Sequence, residues 1–231
     1  MLESENIKGV IDMPNIAITG AGSGLGRSLA LEYAKNGYTI FLLGRSDTKL
    51  HIVQSEILRD GGKASIVLCD VSEPASVSIA FQQIGNLDVF INNAGIGIFG
   101  PVEDYTVEDL ESTLNTNIKG TILTVQSALP LIRKSSGRIL TIISTAGLRG
   151  KVNESIYCAS KFAVKGFTES LQKEWETESI SITAVYMGGM NTPFWDNSSH
   201  VKDASSLKGP EIVAKQIYEE DDGRKEIVID K

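Results

Sequence analysis

Short apolar runs that do not alternate with polar residues recur along the chain, at Ile16–Thr19, Thr39–Leu43, Ala64–Leu68, Leu87–Ile91, Ile139–Ile143 and Ile180–Tyr186. Runs of this kind suit strands covered on both faces, as in a parallel sheet. Glu226–Asp230 reads as a last strand. Between the runs the spacing turns helical. Leu25–Lys35 carries Leu29, Ala30 and Tyr33 on one face, and Asn36-Gly37 stops it. Thr48–Arg59, Glu73–Ile84, a long stretch from Thr106 to about Arg133, and Glu154–Glu178 read as further helices. Thr106-x-x-Asp109 has the form of a capping box, with Asp in place of Glu or Gln. Strict strand–helix alternation with right-handed crossovers predicts an α/β protein with a doubly wound parallel sheet and helices on both faces.

No repeat, low-complexity tract or linker divides the chain, so residues 15–231 read as a single domain. Residues 1–14 form a polar, mixed extension, either a disordered arm or an upstream start, without the pattern of a secretory signal. Asn191–Lys208 is rich in Ser, Asn and Asp and follows the C-terminal end of a strand, where ligands bind in this architecture. A lid over about 191–208 is therefore preferred to a plain surface loop.

The composition is that of an ordinary globular chain, with 42% hydrophobic and 22% charged residues. A formal charge of -7 argues against nucleic acid or an anionic membrane as main partner, since both reward basic patches. Cys69 and Cys158 form no CxxC pair, and His51 and His200 lie far apart, so no metal site is expected. Both histidines read as surface residues. No apolar run approaches the roughly 20 residues of a membrane span. A cytoplasmic protein is the default.

Thr19-Gly20-Ala21-Gly22-Ser23-Gly24-Leu25-Gly26 lies between the first strand and the first helix. Glycines are needed where backbone turns sharply against a pyrophosphate, and the helix start offers free N–H groups to the phosphates. The second strand runs into Gly44-Arg45-Ser46. Gly44 leaves out the carboxylate that would favour a free ribose 2′-hydroxyl and repel a 2′-phosphate. Arg45 offers a phosphate-binding fork and Ser46 a hydroxyl, so NADP(H) is the predicted cofactor. Asp70 would accept from the adenine amino group or cap the helix near Glu73.

Tyr157 and Lys161 are four residues apart in a helical stretch and so share a face. A nearby cation favours phenolate, which would lower the Tyr157 pKa from about 10 and fit it for acid/base work. Ser144 follows the fifth strand.

With TGAGSGLG at Thr19–Gly26, CDV at Cys69–Val71, NNAG at Asn92–Gly95, NIKG at Asn117–Gly120, ISTAG at Ile143–Gly147 and YCASK at Tyr157–Lys161, the chain resembles the short-chain dehydrogenase/reductase family from about Asn15 to Asp230. The resemblance implies a seven-stranded Rossmann-type three-layer sandwich with the site at the strand C-terminal ends. It implies a catalytic tetrad of Asn117, Ser144, Tyr157 and Lys161. Ser144 and Tyr157 would donate to the substrate carbonyl, Lys161 would hold the nicotinamide ribose, and Asn117 would position a water leading to solvent. Gly20, Ser23, Gly24, Leu25 and Gly26 would meet the phosphates, and Arg45, Ser46, Asp70 and Val71 the adenosine half. Asn93, Ala94 and Gly95 would lie beside the ribose, and Met190 and Thr192 at the carboxamide. Where the family has Pro-Gly after the sixth strand, this chain has Met187-Gly188-Gly189, a loop less fixed in φ.

Ile96, Leu148, Val152, Met187, Phe194 and Trp195 are the expected pocket wall, which suits a hydrophobic ketone, aldehyde or diketone rather than a sugar; the alternative for Phe194 and Trp195 is that they pack the lid onto the body. Reduction of a carrier-protein-bound 3-oxoacyl thioester is a competing reading. The acidic helix end Lys173–Glu178 opposes it, because carrier proteins are themselves acidic. A non-enzymatic NADP(H)-binding regulator is another, against which the complete tetrad speaks. The family's habit implies a homodimer or homotetramer through the two long helices, and no interface from a C-terminal tail is expected.

Overall fold

The computed structural model describes residues 13–196, 198 and 200–229. The expectations for residues 1–12 and for Asp230 therefore lie outside the described residues. Seven strands form one parallel sheet: β1 (Asn15–Thr19), β2 (Thr39–Gly44), β3 (Lys63–Leu68), β4 (Val89–Asn92), β5 (Arg138–Ile142), β6 (Ser181–Met187) and β7 (Glu226–Ile229). Their order across the sheet is β3-β2-β1-β4-β5-β6-β7. The helices are α1 (Gly24–Lys35), α2 (Asp47–Arg59), α3 (Pro74–Gln82), α4 (Val107–Leu114), α5 (Gly120–Ser135), α6 (Ser155–Glu174) and α7 (Pro210–Glu220). The order reverses between β1 and β4, so the crevice for ligands opens where these two strands end.

Alternate strand residues feed two cores, as the pleat requires. Ile16, Ile18, Val89, Ile91 and Leu140 pack with Leu29 and Tyr33 of α1, Val53 of α2 and Ile217 of α7. Ala17, Phe90 and Ile139 face the other way, onto Phe81 of α3, Val125 of α5 and Leu171 of α6. Away from the crevice, Arg138 at the start of β5 grips Asp221 after α7 through Nε at 2.6 Å and Nη2 at 2.8 Å. Tyr33 of α1 donates to the same carboxylate at 2.6 Å. The Asp221 side chain is 1% exposed, so this cluster ties three elements together with a buried charge.

The predicted long helix from Thr106 is broken. Its start is as expected: Thr106 Oγ1 accepts from Asp109 N, and Asp109 Oδ2 accepts from Thr106 N. After α4 the chain makes a π turn over Asn115–Lys119 before α5 begins. A π turn inserts a residue into the helical repeat and often marks a functional site. The helix predicted over Glu154–Glu178 ends at Glu174, and Trp175 caps it. Glu176 and Glu178 beyond it pair with Lys225 at 2.9 Å and with Arg133 at 2.7 Å. The charge argument against carrier-protein docking thereby loses much of its force. No helix among the described residues is long and apolar enough to cross a membrane.

Candidate active site

A cavity of about 450 Å³ opens at the ends of β1, β4, β5 and β6. The glycine turn forms one end. Gly20 and Gly24 hold φ of 67° and 52°, conformations that favour glycine. Gly26 has the Gly20 carbonyl where a side chain would begin. Ser23, Leu25 and Gly26 line the cavity with them, and Ser23 starts α1 in extended geometry with its side chain making no cap bond. Such a turn, with bare backbone against a helix start, fits a dinucleotide phosphate.

Thr19 holds the facing segment. Its Oγ1 accepts from Asn93 N at 2.9 Å and Ala94 N at 3.0 Å, and its carbonyl accepts from Asn93 Nδ2 at 2.9 Å. Asn93, Ala94 and Gly95 are thus set along the cavity beside the glycine turn. Arg45, Asp70 and Val71 line its outer end, and Lys49 stands with them. Arg45 reaches to 3.9 Å from Asp70. Burial opposes ionisation of Asp70, but hydrogen bonds from Ser72 and the charges of Arg45 and Lys119 hold its pKa below the usual carboxylate range. Asp70 accepts from Ser72 N and Oγ, and Glu73 takes the N-cap of α3, so the capping alternative for Asp70 does not hold. Ser46 also departs from expectation. Its Oγ caps α2 by accepting from Lys49 N at 3.5 Å, and it is absent from the cavity wall.

Ser144, Tyr157 and Lys161 converge at the inner end. Ser144, two residues after β5, has φ of 105°, a costly conformation for a residue with a Cβ. Its Oγ accepts from Ala146 N at 3.2 Å, and it lines the cavity together with Tyr157. Tyr157 and Lys161 lie on one face of α6, both nearly buried. Lys161 Nζ donates to the Ile142 carbonyl at 3.1 Å and sits 5.8 Å from the Tyr157 ring centre. Burial pulls the Lys161 pKa down to about 8. The expected lowering of Tyr157 is not found: burial raises its pKa, Ser144 offsets this in part, and Glu154 and Cys158 add to it. The ammonium is turned to Ile142, so desolvation dominates the phenol.

Asn117 lies in the π turn, buried, and does not line the cavity. Its Oδ1 accepts from Ile96 N at 2.9 Å, and its Nδ2 donates to Ile96 O at 2.9 Å and Ser160 Oγ at 3.0 Å. Ser160 Oγ in turn donates to the Tyr157 carbonyl at 2.7 Å. Both amide hydrogens are engaged by protein, so the side chain clamps Ile96 to Ser160. Met190 and Thr192 line the cavity as expected, but the Met190 carbonyl accepts from Trp195 Nε1 at 2.9 Å.

A family model described as short chain dehydrogenase matches residues 14–203. The chain belongs to the short-chain dehydrogenase family. A sepiapterin reductase of Chlorobaculum tepidum is 33% identical over 211 residues, 86% of each chain. A 3beta-hydroxysteroid dehydrogenase of Mediterraneibacter gnavus is 34% identical over 198 residues, 84% of this chain and 72% of that one. A variant of actinorhodin polyketide ketoreductase, crystallised with NADPH, superposes with a TM-score of 0.82 at 26% identity over 90% of each chain. The chain is thus an oxidoreductase of a family that works with nicotinamide dinucleotides on alcohol and carbonyl groups.

Within this short-chain dehydrogenase, the substrate end of the cavity is walled by Ile96, Met187, Phe194 and Trp195. Leu148 and Val152 are 45% and 83% exposed and do not line the cavity. Phe194 comes close because Gly97 has no side chain: a Cβ there would sit 2.5 Å from the ring. Glu154, Lys151 and Lys49 also line the cavity and were missed in the sequence. Glu154 had one legible signal, its place three residues before Tyr157 at the start of the same helix. His200 is no plain surface residue: its ring stacks on Phe99 at 4.8 Å and its Nε2 meets Glu154 at 3.0 Å. His51 is exposed as expected.

Proposed function

We propose that this enzyme uses NADP(H) to interconvert a hydrophobic ketone or aldehyde and its alcohol, with Tyr157 as general acid/base. The observation that carries the reading is the convergence of Ser144 with the buried Tyr157 and Lys161 at the inner end of a cleft that starts in the glycine turn. When bound, the dinucleotide donates or accepts the hydride. Tyr157, with its pKa raised, is protonated at neutral pH, the state needed to donate to a carbonyl. Ser144 and Tyr157 point hydrogen-bond donors at the oxygen where negative charge develops. Lys161 carries the positive charge next to them, and Asn117 fixes Ile96 and Ser160 so that the catalytic helix and the floor of the cleft keep their spacing.

Gly20, Ser23, Gly24, Leu25 and Gly26 would hold the pyrophosphate. Asn93, Ala94 and Gly95 would hold the ribose side, Asp70 and Val71 the adenine, and Thr192 and Met190 the carboxamide. Preference for NADP(H) is supported by Gly44, which presents no carboxylate, and by the pair of cations Arg45 and Lys49 at that end. The wall of Ile96, Met187, Phe194 and Trp195 favours an apolar substrate, and the names of the two relatives support an alcohol–carbonyl couple. Val107 and Leu110 of α4 and Phe162 of α6, exposed at 65%, 40% and 46%, would be covered by a second copy in a homodimer or tetramer.

The test is consumption of NADPH and NADH, followed by absorbance, over aromatic diketones, aldehydes, aliphatic ketones and acetoacetyl thioesters. NADPH should serve better than NADH, and Arg45→Ala should lose about tenfold or more of that preference, as for removal of one charge-assisted phosphate contact. Equal use of the two cofactors by the wild type would overturn the assignment. Turnover of the thioester alone would favour the 3-oxoacyl reading.

A further inference from the structure

Glu154 is an unusual group to find beside a tyrosine that must release and recover a proton. It immediately precedes α6, is 6% exposed and lines the cavity. Its carboxylate makes no cap bond to the helix start. Instead Oε1 meets His200 Nε2 at 3.0 Å, and Oε2 lies 3.8 Å from Lys151 Nζ. His200 arrives from the other side of the cleft, beyond β6. Its ring stacks on Phe99 at 4.8 Å, and Phe99 stacks on Trp195 at 5.1 Å. Phe99 also meets Tyr157 at 5.5 Å and Phe194 at 5.8 Å. Rings from three segments therefore meet over the catalytic tyrosine.

Stacked rings hold one another weakly and slide with little cost. A hydrogen bond to a buried carboxylate is directional and stronger, and a buried carboxylate without a partner is costly. Glu154 thus fixes His200, His200 fixes Phe99, and Phe99 fixes Trp195. From the opposite side, Trp195 is tied to the Met190 carbonyl.

We propose that Glu154 and His200 are positioning residues that hold the aromatic wall of the substrate pocket, and through it select flat apolar carbonyl compounds over flexible ones. The selection rests on the oxidoreductase reading above, whereas the holding of the wall does not.

The experiment uses the full chain with Trp175→Phe, which leaves Trp195 as the remaining tryptophan. Acrylamide quenching of Trp195 is measured in this background and in His200→Ala, Glu154→Ala and His200→Gln. Quenching should rise in both alanine variants and return towards the parent value in His200→Gln, whose amide can still donate to Glu154. In turnover, the alanine variants should raise KM for an aromatic ketone about tenfold with a smaller change in kcat, and narrow the preference over an aliphatic ketone. If loss of one partner unfolds the chain, Glu154→Leu with His200→Leu removes the polar bond while keeping bulk, and should also raise quenching. Unchanged Trp195 quenching in the folded variants overturns the proposal, whatever the activity. A wild type inactive on every carbonyl would instead sink the oxidoreductase reading and the selection, with the quenching result still deciding whether the pair holds the wall.

Discussion

Gly26→Ala is the sharpest perturbation of the cofactor turn. A Cβ at this position would fall on the Gly20 carbonyl, 2.8 Å from its carbon and 2.7 Å from Asn93 Nδ2. Ordinary contacts between such atoms begin at about 3.5 Å. Neither neighbour can yield freely. Gly20 is fixed at φ of 67° by the turn, and Asn93 Nδ2 is bonded to the Thr19 carbonyl. Overpacking of this kind costs about 1–3 kcal/mol, and a lost hydrogen bond adds about 1 kcal/mol. At about 3 kcal/mol in all, Tm should fall by roughly 6–12 °C for a chain of this size. Gly166→Ala is the contrast. It sits inside α6 with no atom within 4 Å of its added Cβ, and should gain about 1 kcal/mol from helix propensity. Differential scanning calorimetry reads both, and NADPH titration of Gly26→Ala should show weakened binding. A Gly26→Ala protein with the parent Tm and NADPH affinity would refute the close approach of α1 to the β1 turn.

Lys161 makes stability depend on pH in a stated direction. Its folded pKa of about 8 lies below the unfolded value, so the unfolded chain holds a proton that the native one releases. Stability should therefore rise from about pH 8 towards pH 10, by up to about 3 kcal/mol over the full span, and Lys161→Met should flatten that rise. Above about pH 10 the buried tyrosines Tyr33 and Tyr157, both with raised pKa, act in the opposite direction. Urea unfolding at several pH values checks this, and an identical slope in Lys161→Met would contradict it. Arg138→Met leaves the buried Asp221 carboxylate with Tyr33 and without its cation. It should cost about 3 kcal/mol, and a loss within 1 kcal/mol would show the cluster to be dispensable.

The strands were legible because a two-sided parallel sheet writes unbroken apolar runs, and β1 and β2 begin and end within a residue of those runs. The order of the strands across the sheet was not legible, since the runs do not say which strand pairs with which. The break after Leu114 was invisible, since the residues of the π turn have no pattern that separates them from helix. Ser46 and Asp70 show a different limit: small polar residues at strand ends serve caps, turns and ligands alike, and only geometry distinguishes them. Tyr157 shows a third. Sequence spacing put a cation near it, but burial and the Ile142 carbonyl decide what that cation does. Glu154 and His200 are 46 residues apart, so their meeting depends on the path of the chain after β6.

The central claim is that Tyr157 moves the proton, and the most direct measurement is turnover of the best carbonyl substrate by Tyr157→Phe at saturating NADPH. The variant should keep its fold and its NADPH affinity, because the ring contacts with Phe99 and Phe194 survive the loss of the hydroxyl. Its kcat should fall by about 10²–10⁴-fold, the usual contribution of a positioned acid. A folded, NADPH-binding Tyr157→Phe protein that turns over at the wild-type rate would contradict the account.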